Sequence, residues 1–284
     1  MSRNQFLLTF VCICFLFTQP GIVYSDVSPD INTILMRSTF KIKGSNGSVG
    51  TVFILGQEIS KNQTKARYVL ITAAHVLEGI VGDNALLVLR EKVGDKYNKL
   101  NKTIKIRDKG KILWTKHPKA DVAAMYIALP SNVDILLASL ELLATDETIK
   151  DYEIYPGREL TAIGFPFGFE SNESGFPILR SGKIANFPLT PTKETRTFLV
   201  DFEIFGGNSG GPVYLHDPDW HKRGSGIISA PVELQVIMGL VSKQKIVTEE
   251  VDSYMKKTIQ KHQLGIAEIV HASLIKETIL LLKP

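Results

Sequence analysis

Three side chains that lie far apart in the chain could together carry out acyl transfer. Ser209 stands in Gly206-Gly207-Asn208-Ser209-Gly210-Gly211-Pro212-Val213. His75 closes the run Ile71-Thr72-Ala73-Ala74-His75, and Asp121 opens the run Asp121-Val122-Ala123-Ala124-Met125. A serine hydroxyl is a weak nucleophile until a base takes its proton, and the base works best when an acid holds its tautomer. Histidine suits the base role because its pKa lies near neutrality. Glycines around the serine lack a Cβ, so they accept unusual dihedrals and let a substrate backbone come close. Such a turn can aim the N–H groups of Gly207 and Ser209 at one point, where an oxyanion would form. On its own this stretch is equally an ordinary tight turn. It gains meaning from the order His75, Asp121, Ser209, with gaps of 46 (121 − 75) and 88 (209 − 121) residues.

That order differs from the orders in subtilisins and α/β-hydrolases. With Thr72-Ala73-Ala74-His75, Asp121-Val122-Ala123 and Gly207-Asn208-Ser209-Gly210-Gly211-Pro212, the chain resembles the trypsin-like (chymotrypsin-fold) serine protease superfamily over roughly residues 35 to 250. Ala162-Ile163-Gly164-Phe165-Pro166-Phe167-Gly168, Ser181-Gly182-Lys183-Ile184 and Asp201, eight residues before Ser209, resemble the cysteine-free bacterial branch that includes HtrA/DegP-like protease domains. The resemblance implies an all-β fold of two six-stranded antiparallel β-barrels with a C-terminal α-helix. His75 and Asp121 would come from the first barrel and Ser209 from the second. It further implies a substrate pocket walled by Glu203, Ile204, Phe205 and by Val241, Ser242, Lys243. Glu203 falls where trypsins keep a basic-selecting aspartate, and Lys243 could neutralise it. Asn208 stands where trypsin-type zymogens have an aspartate that pairs with a newly cut N-terminus. An amide cannot make that ion pair, so activity is expected without internal cleavage.

The elements that must position these residues follow from β-rich runs separated by turn signals. In a first half, about residues 34 to 129, the expected strands are Phe40–Lys43, Gly50–Leu55, Tyr68–Thr72, Leu86–Arg90, Thr103–Arg107 and Val122–Ala128. A crossover spans about 130 to 158. A second half, about 159 to 250, has Glu159–Gly164, Pro177–Ile184, Thr197–Phe202, Gly211–His216, Gly224–Ile228 and Val236–Val241. Two sets of six runs fit two barrels. Ile266, Ile269, Val270, Leu274, Ile275, Ile279 and Leu282 recur with a helical period, which predicts an amphipathic helix over about 266 to 282. Asp217 to Lys222 reads as a polar loop, and His117 as a surface loop residue.

Composition narrows the class. Residues 1–25 carry one charge, Arg3, ahead of the apolar run Phe6 to Phe17, the pattern of a signal peptide cut near Ser25–Asp26. The run is too short for a transmembrane helix, which needs about 20 apolar residues, so no stable membrane insertion is expected after cleavage. A periplasmic or secreted protein of bacterial origin is expected, with the mature unit spanning 26–284. Both cysteines, Cys12 and Cys14, lie inside the leader, so the mature chain has none to form disulfides. A formal net charge of +4 is too mild to argue for nucleic acid. No cofactor or metal is expected, and the expected partner is a protein or peptide substrate. The reading is therefore a serine endopeptidase. The alternatives are a catalytically silent trypsin-fold binding protein and a glutamyl-endopeptidase-like enzyme preferring an acidic P1 residue.

Overall fold

The computed structural model describes residues 29–58, 66–221, 232–253 and 256–283. The expected leader, 1–25, and the expected strand Gly224–Ile228 lie outside the described residues. Helix α1 (Ile31–Ser38) comes first. The Asp30 carboxylate caps it by accepting from the Asn32 and Thr33 N–H groups, and Ile31 and Leu35 are buried.

The first half is one mainly antiparallel sheet. Its members are β1 (Thr39–Lys43), β2 (Val49–Glu58), β3 (Ala66–Thr72), β4 (Asn84–Val93), β5 (Lys96–Lys105), β8 (Thr115–Lys116), β9 (Ala123–Ile127) and β10 (Ala138–Ser139). The order is β5-β4-β1-β2-β3-β9-β8, with β10 added in parallel to β2. A small side ladder pairs β6 (Arg107–Asp108) with β7 (Lys111–Ile112). Val52, Phe53, Ile54 and Leu55 are all buried, so β2 is covered on both faces and reads as a continuous apolar run. Among the described residues no ladder joins β5 to β8, so this sheet does not close on itself as the second does. Strand β5 explains one end. Lys96, Lys99, Lys102 and Lys105 line it, and lysines blunt an edge against further pairing.

Beyond the crossover helix α3 (Asp146–Asp151) the second half closes as a barrel in the order β11-β12-β13-β16-β15-β14. Its strands are β11 (Glu159–Gly164), β12 (Ile178–Ile184), β13 (Thr197–Asp201), β14 (Pro212–Trp220), β15 (Val232–Ser253) and β16 (Lys256–His271), and α4 (Thr192–Thr195) precedes β13. Two expectations need correction here. Asp217 to Trp220 continue β14 instead of forming a loop. Arg158 holds Asp217 at 2.6 Å, and the Trp220 indole N–H donates to the Tyr152 carbonyl. The expected helix over 266–282 begins only at Ala272, as α5 (Ala272–Leu280). Ile266 to Val270 are strand, because β13 pairs with them on one side and β15 on the other. Cross-strand partners from distant sequence outweigh the local helical period there.

Helix α5 buries Leu274, Ile275 and Ile279 and lies against β15 of its own barrel and β8 and β9 of the first half. His117, expected at the surface, is buried beneath it. Its Nδ1 accepts from the Lys119 N–H, which leaves the proton on Nε2, 3.2 Å from the Glu277 carboxylate.

Candidate active site

Strand β3 ends at Thr72, and helix α2 (Ala74–Gly79) begins two residues later, so His75 sits in a first helical turn. Ala73 and Ala74 are fully buried. Little room exists beside them, for a Cβ on Gly210 would lie 2.1 Å from Thr72 Oγ1. Small side chains at the end of β3 therefore let the Ser209 loop come close. Asp121 sits in a tight turn closed by His117 N–H to the Val122 carbonyl and Val122 N–H to the Ala120 carbonyl, both 2.9 Å.

The structure brings His75 and Asp121 together through two bonds. The His75 backbone N–H donates to Asp121 Oδ1 at 3.0 Å, and His75 Nδ1 lies 2.7 Å from Asp121 Oδ2. A carboxylate only accepts, so Nδ1 carries the proton and Nε2 is left as the basic nitrogen. A third donor arrives from the other half, where Ser242 Oγ gives its proton to Asp121 Oδ2 at 2.7 Å. Burial acts to raise the Asp121 carboxyl, but the hydrogen bonds from His75 and Ser242 outweigh it and hold the group at about 2.

Ser209 is placed differently. Its Oγ donates to the Ser242 carbonyl at 3.0 Å, and no hydrogen bond joins it to His75 among the described residues. Its loop is nonetheless fixed. Gly207 and Gly210 hold φ of +98° and +87°, which side-chain-bearing residues rarely adopt. Each carbonyl of the loop has a donor: Phe167 N–H on Gly206 at 2.6 Å, Gly211 N–H on Asn208 at 3.0 Å and Thr51 N–H on Ser209 at 2.9 Å. The Gly207 carbonyl takes the Thr51 hydroxyl at 2.7 Å. A trans peptide points its N–H opposite its carbonyl. Among the described residues the N–H groups of Gly207 and Ser209 donate to no protein group, while those of Asn208 and Gly210 are used. These are the two donors expected for an oxyanion.

A match to the model of the trypsin-like peptidase domain covers residues 50–220, which includes all three side chains. The chain belongs to that family. No curated protein sequence matches this trypsin-like domain. Among solved structures it is similar to the thermostable serine protease AL20 from an extremophilic microorganism, at 13% identity over 86% of this chain and 95% of that one, TM-score 0.43. The protease Anisep from Arthrobacter nicotinovorans gives 13% identity over 86% and 94%, TM-score 0.43. The structure of HBP gives 12% over 86% and 90%, TM-score 0.45.

In this trypsin-like domain the six residues expected to wall a substrate pocket divide into two groups. Ile204, Val241 and Ser242 are buried. Ile204 and Val241 line, with Asn208, a cavity of about 10 Å³, room for about one water, and Ser242 faces Asp121. Glu203, Phe205 and Lys243 stay towards the surface. Phe205 stacks between Phe167 at 5.0 Å and the Arg180 guanidinium at 5.0 Å. Lys243 lies 3.5 Å from Glu268 and so does not neutralise Glu203. Glu203 makes no ion pair among the described residues, and its Cγ lies 3.7 Å from where a Cβ on Gly265 would sit. Asn208 is buried with no partner for its Nδ2 among the described residues. Thr51 carried no chemical signal in the sequence, where it reads as one β-branched strand residue. Its part in the Ser209 loop exists only through contacts 156 residues away.

Proposed function

We propose that this chain is an exported serine endopeptidase that cleaves peptide bonds in proteins through an acyl-enzyme. Ser209 attacks the carbonyl, and His75 takes its proton and returns it to the leaving amine. Asp121 holds the His75 tautomer and stabilises its cation. The N–H groups of Gly207 and Ser209 hold the oxyanion, each worth about 3–4 kcal/mol in comparable sites. The observation that carries this reading is the doubly bonded His75–Asp121 pair together with the Gly207 and Ser209 N–H groups, which donate to no protein group among the described residues. In this reading the Ser209 hydroxyl leaves the Ser242 carbonyl and turns to His75 Nε2.

A preference for a basic P1 residue would rest on Glu203, which is exposed and makes no ion pair among the described residues. Export rests on the leader pattern of residues 1–25. Labelling of the mature chain with a fluorophosphonate, beside Ser209→Ala and His75→Ala, tests the mechanism. Labelling of wild type alone is the expected result, and a peptide library then reads P1. Absence of labelling would return the chain to a silent binding role. An acidic P1 preference would replace the Glu203 reading with the glutamyl-endopeptidase one.

A further inference from the structure

Thr51 belongs to β2 of the first half, yet it touches the Ser209 loop of the second half at two points. Its N–H donates to the Ser209 carbonyl at 2.9 Å. Its hydroxyl donates to the Gly207 carbonyl at 2.7 Å and accepts the Phe165 N–H at 3.2 Å. The residue is fully buried, and the Thr72 hydroxyl holds its own carbonyl at 2.7 Å. The one hydroxyl proton is thus committed to the Gly207 carbonyl, and one of the two lone pairs to the Phe165 N–H.

What these bonds fix is orientation. Of the four carbonyls from Gly206 to Ser209, Thr51 holds two, one by its backbone and one by its side chain. The backbone bond would survive any substitution that keeps the strand. The side-chain bond would not. Without it the Gly207 carbonyl loses its donor, and the peptide between Gly207 and Asn208 is free to rotate. Gly207, at φ +98°, has no Cβ to resist that turn. That peptide links the two that carry the Gly207 and Ser209 N–H groups, so its rotation changes ψ at Gly207 and φ at Asn208 and with them the angle between the two donors. The Phe165 N–H, released with it, would free the segment whose Phe167 N–H holds the Gly206 carbonyl.

The neighbour across the ladder repeats the arrangement. Lys41 of β1 is the register partner of Thr51, and its ammonium donates to the Gly168 carbonyl at 2.9 Å and pairs with Glu170. The β1–β2 ribbon therefore grips segment 165–170 and the Ser209 loop together. We propose that Thr51 is a positioning residue for the oxyanion donors: its hydroxyl, supplied by one half of the molecule, sets the peptide geometry that lets Gly207 and Ser209 of the other half bind the developing charge. This rests on the protease reading above.

The test uses the mature full-length chain as wild type, Thr51→Val, which keeps shape and loses the hydroxyl, and Thr51→Ser, which keeps the hydroxyl. The kinetic constants kcat and KM are measured on a peptide substrate found by library screening. Affinity is measured for a peptide boronic acid, whose serine adduct places a negative oxygen in the same donors. For Thr51→Val kcat is expected to fall about a hundredfold with KM within about twofold, since only transition-state contacts are lost. Boronate affinity should fall in parallel, and Thr51→Ser should restore both to within about threefold. Wild-type kcat in Thr51→Val, or a fall in kcat with boronate affinity unchanged, would overturn the proposal. So would a Thr51→Ser as poor as Thr51→Val. Near-UV circular dichroism checks folding. If Thr51→Val does not fold, Thr51→Ala carries the same comparison. A wild type that neither labels with fluorophosphonate nor binds boronate refutes the protease reading instead, which separates the two failures.

Discussion

The two halves of the molecule hold the proposed reacting groups in different states of readiness. The first half holds His75 and Asp121 in finished geometry, joined at 2.7 and 3.0 Å. The second presents Ser209, the proposed nucleophile, whose hydroxyl rests on the Ser242 carbonyl at 3.0 Å. The difference lies in what each side chain can do alone. An imidazole held from both its ring and its backbone has one orientation. A serine hydroxyl has three staggered rotamers, and its direction changes without moving its loop. The fold therefore places its rigidity in the proposed base, acid and oxyanion donors, and leaves the proposed nucleophile as the group that rotates at little cost. The halves also lend residues to each other. Ser242 reaches from the second to Asp121, and Thr51 from the first to Gly207.

The sharpest way to break the finished pair is Asp121→Asn. An amide whose oxygen accepts from the His75 backbone N–H would set its NH₂ against His75 Nδ1 and favour the wrong tautomer. A loss of kcat on the order of 10⁴-fold is expected, with little change in KM. Steady-state kinetics on the library-derived substrate would check it. A loss of tenfold or less would mean that the pair does not set the tautomer.

The loop of the second half is probed by its glycines. A Cβ on Gly207 would lie 2.3 Å from the Phe165 carbonyl oxygen, at a φ of +98°. Gly207→Ala must displace the loop and with it one oxyanion donor, so kcat should fall about 10²–10³-fold. Gly206 is the control, because a Cβ there would meet nothing within 4 Å. Gly206→Ala should stay within about twofold of wild type. Equal effects at the two positions would show that the clash at Gly207 is not what matters.

The chemistry of the site was far more legible in the sequence than its support. His75, Asp121 and Ser209 announce themselves because the types, the small flanking residues and the order are all local features of the chain. Most strands were legible too, where apolar and β-branched runs stop at turn residues, as at Glu159–Gly164. Strand β16 was not. Lys256 to Leu264 alternates no apolar face, and it is strand because β15 runs out alongside it. The helix at Ile266 was misplaced for the complementary reason, that a run of buried strand residues also satisfies a helical period. Thr51 and Ser242 illustrate the general limit. Their hydrogen bonds cross from one half to the other, and no spacing within either half encodes such a contact.

Acid should separate the two halves energetically. His271, in the second, is buried against Phe198, with Thr195 Oγ1 at 3.2 Å from Nε2 and no partner at Nδ1 among the described residues. Burial drives it down from 6.5 to about 4, and the nearby Asp146 carboxylate only partly opposes this. The folded state then binds fewer protons than the unfolded chain between about 6.5 and 4, so stability falls as pH falls through that window, by on the order of 3 kcal/mol. Asp121 acts lower. Burial opposes its ionisation, yet its bonds to His75 and Ser242 bring it from 3.8 to about 2. Its contribution is complete above about 3.8 and is lost as pH falls towards 2, on the order of 2 kcal/mol. Urea unfolding measured across pH should therefore show two successive losses. His271→Gln should flatten the first, between about 6.5 and 4, and leave the second in place. Asp121→Asn should do the reverse. A His271→Gln profile parallel to wild type through the upper window would show that the second barrel admits the imidazolium without opening. The difference in acid sensitivity between the halves would then rest on Asp121 alone.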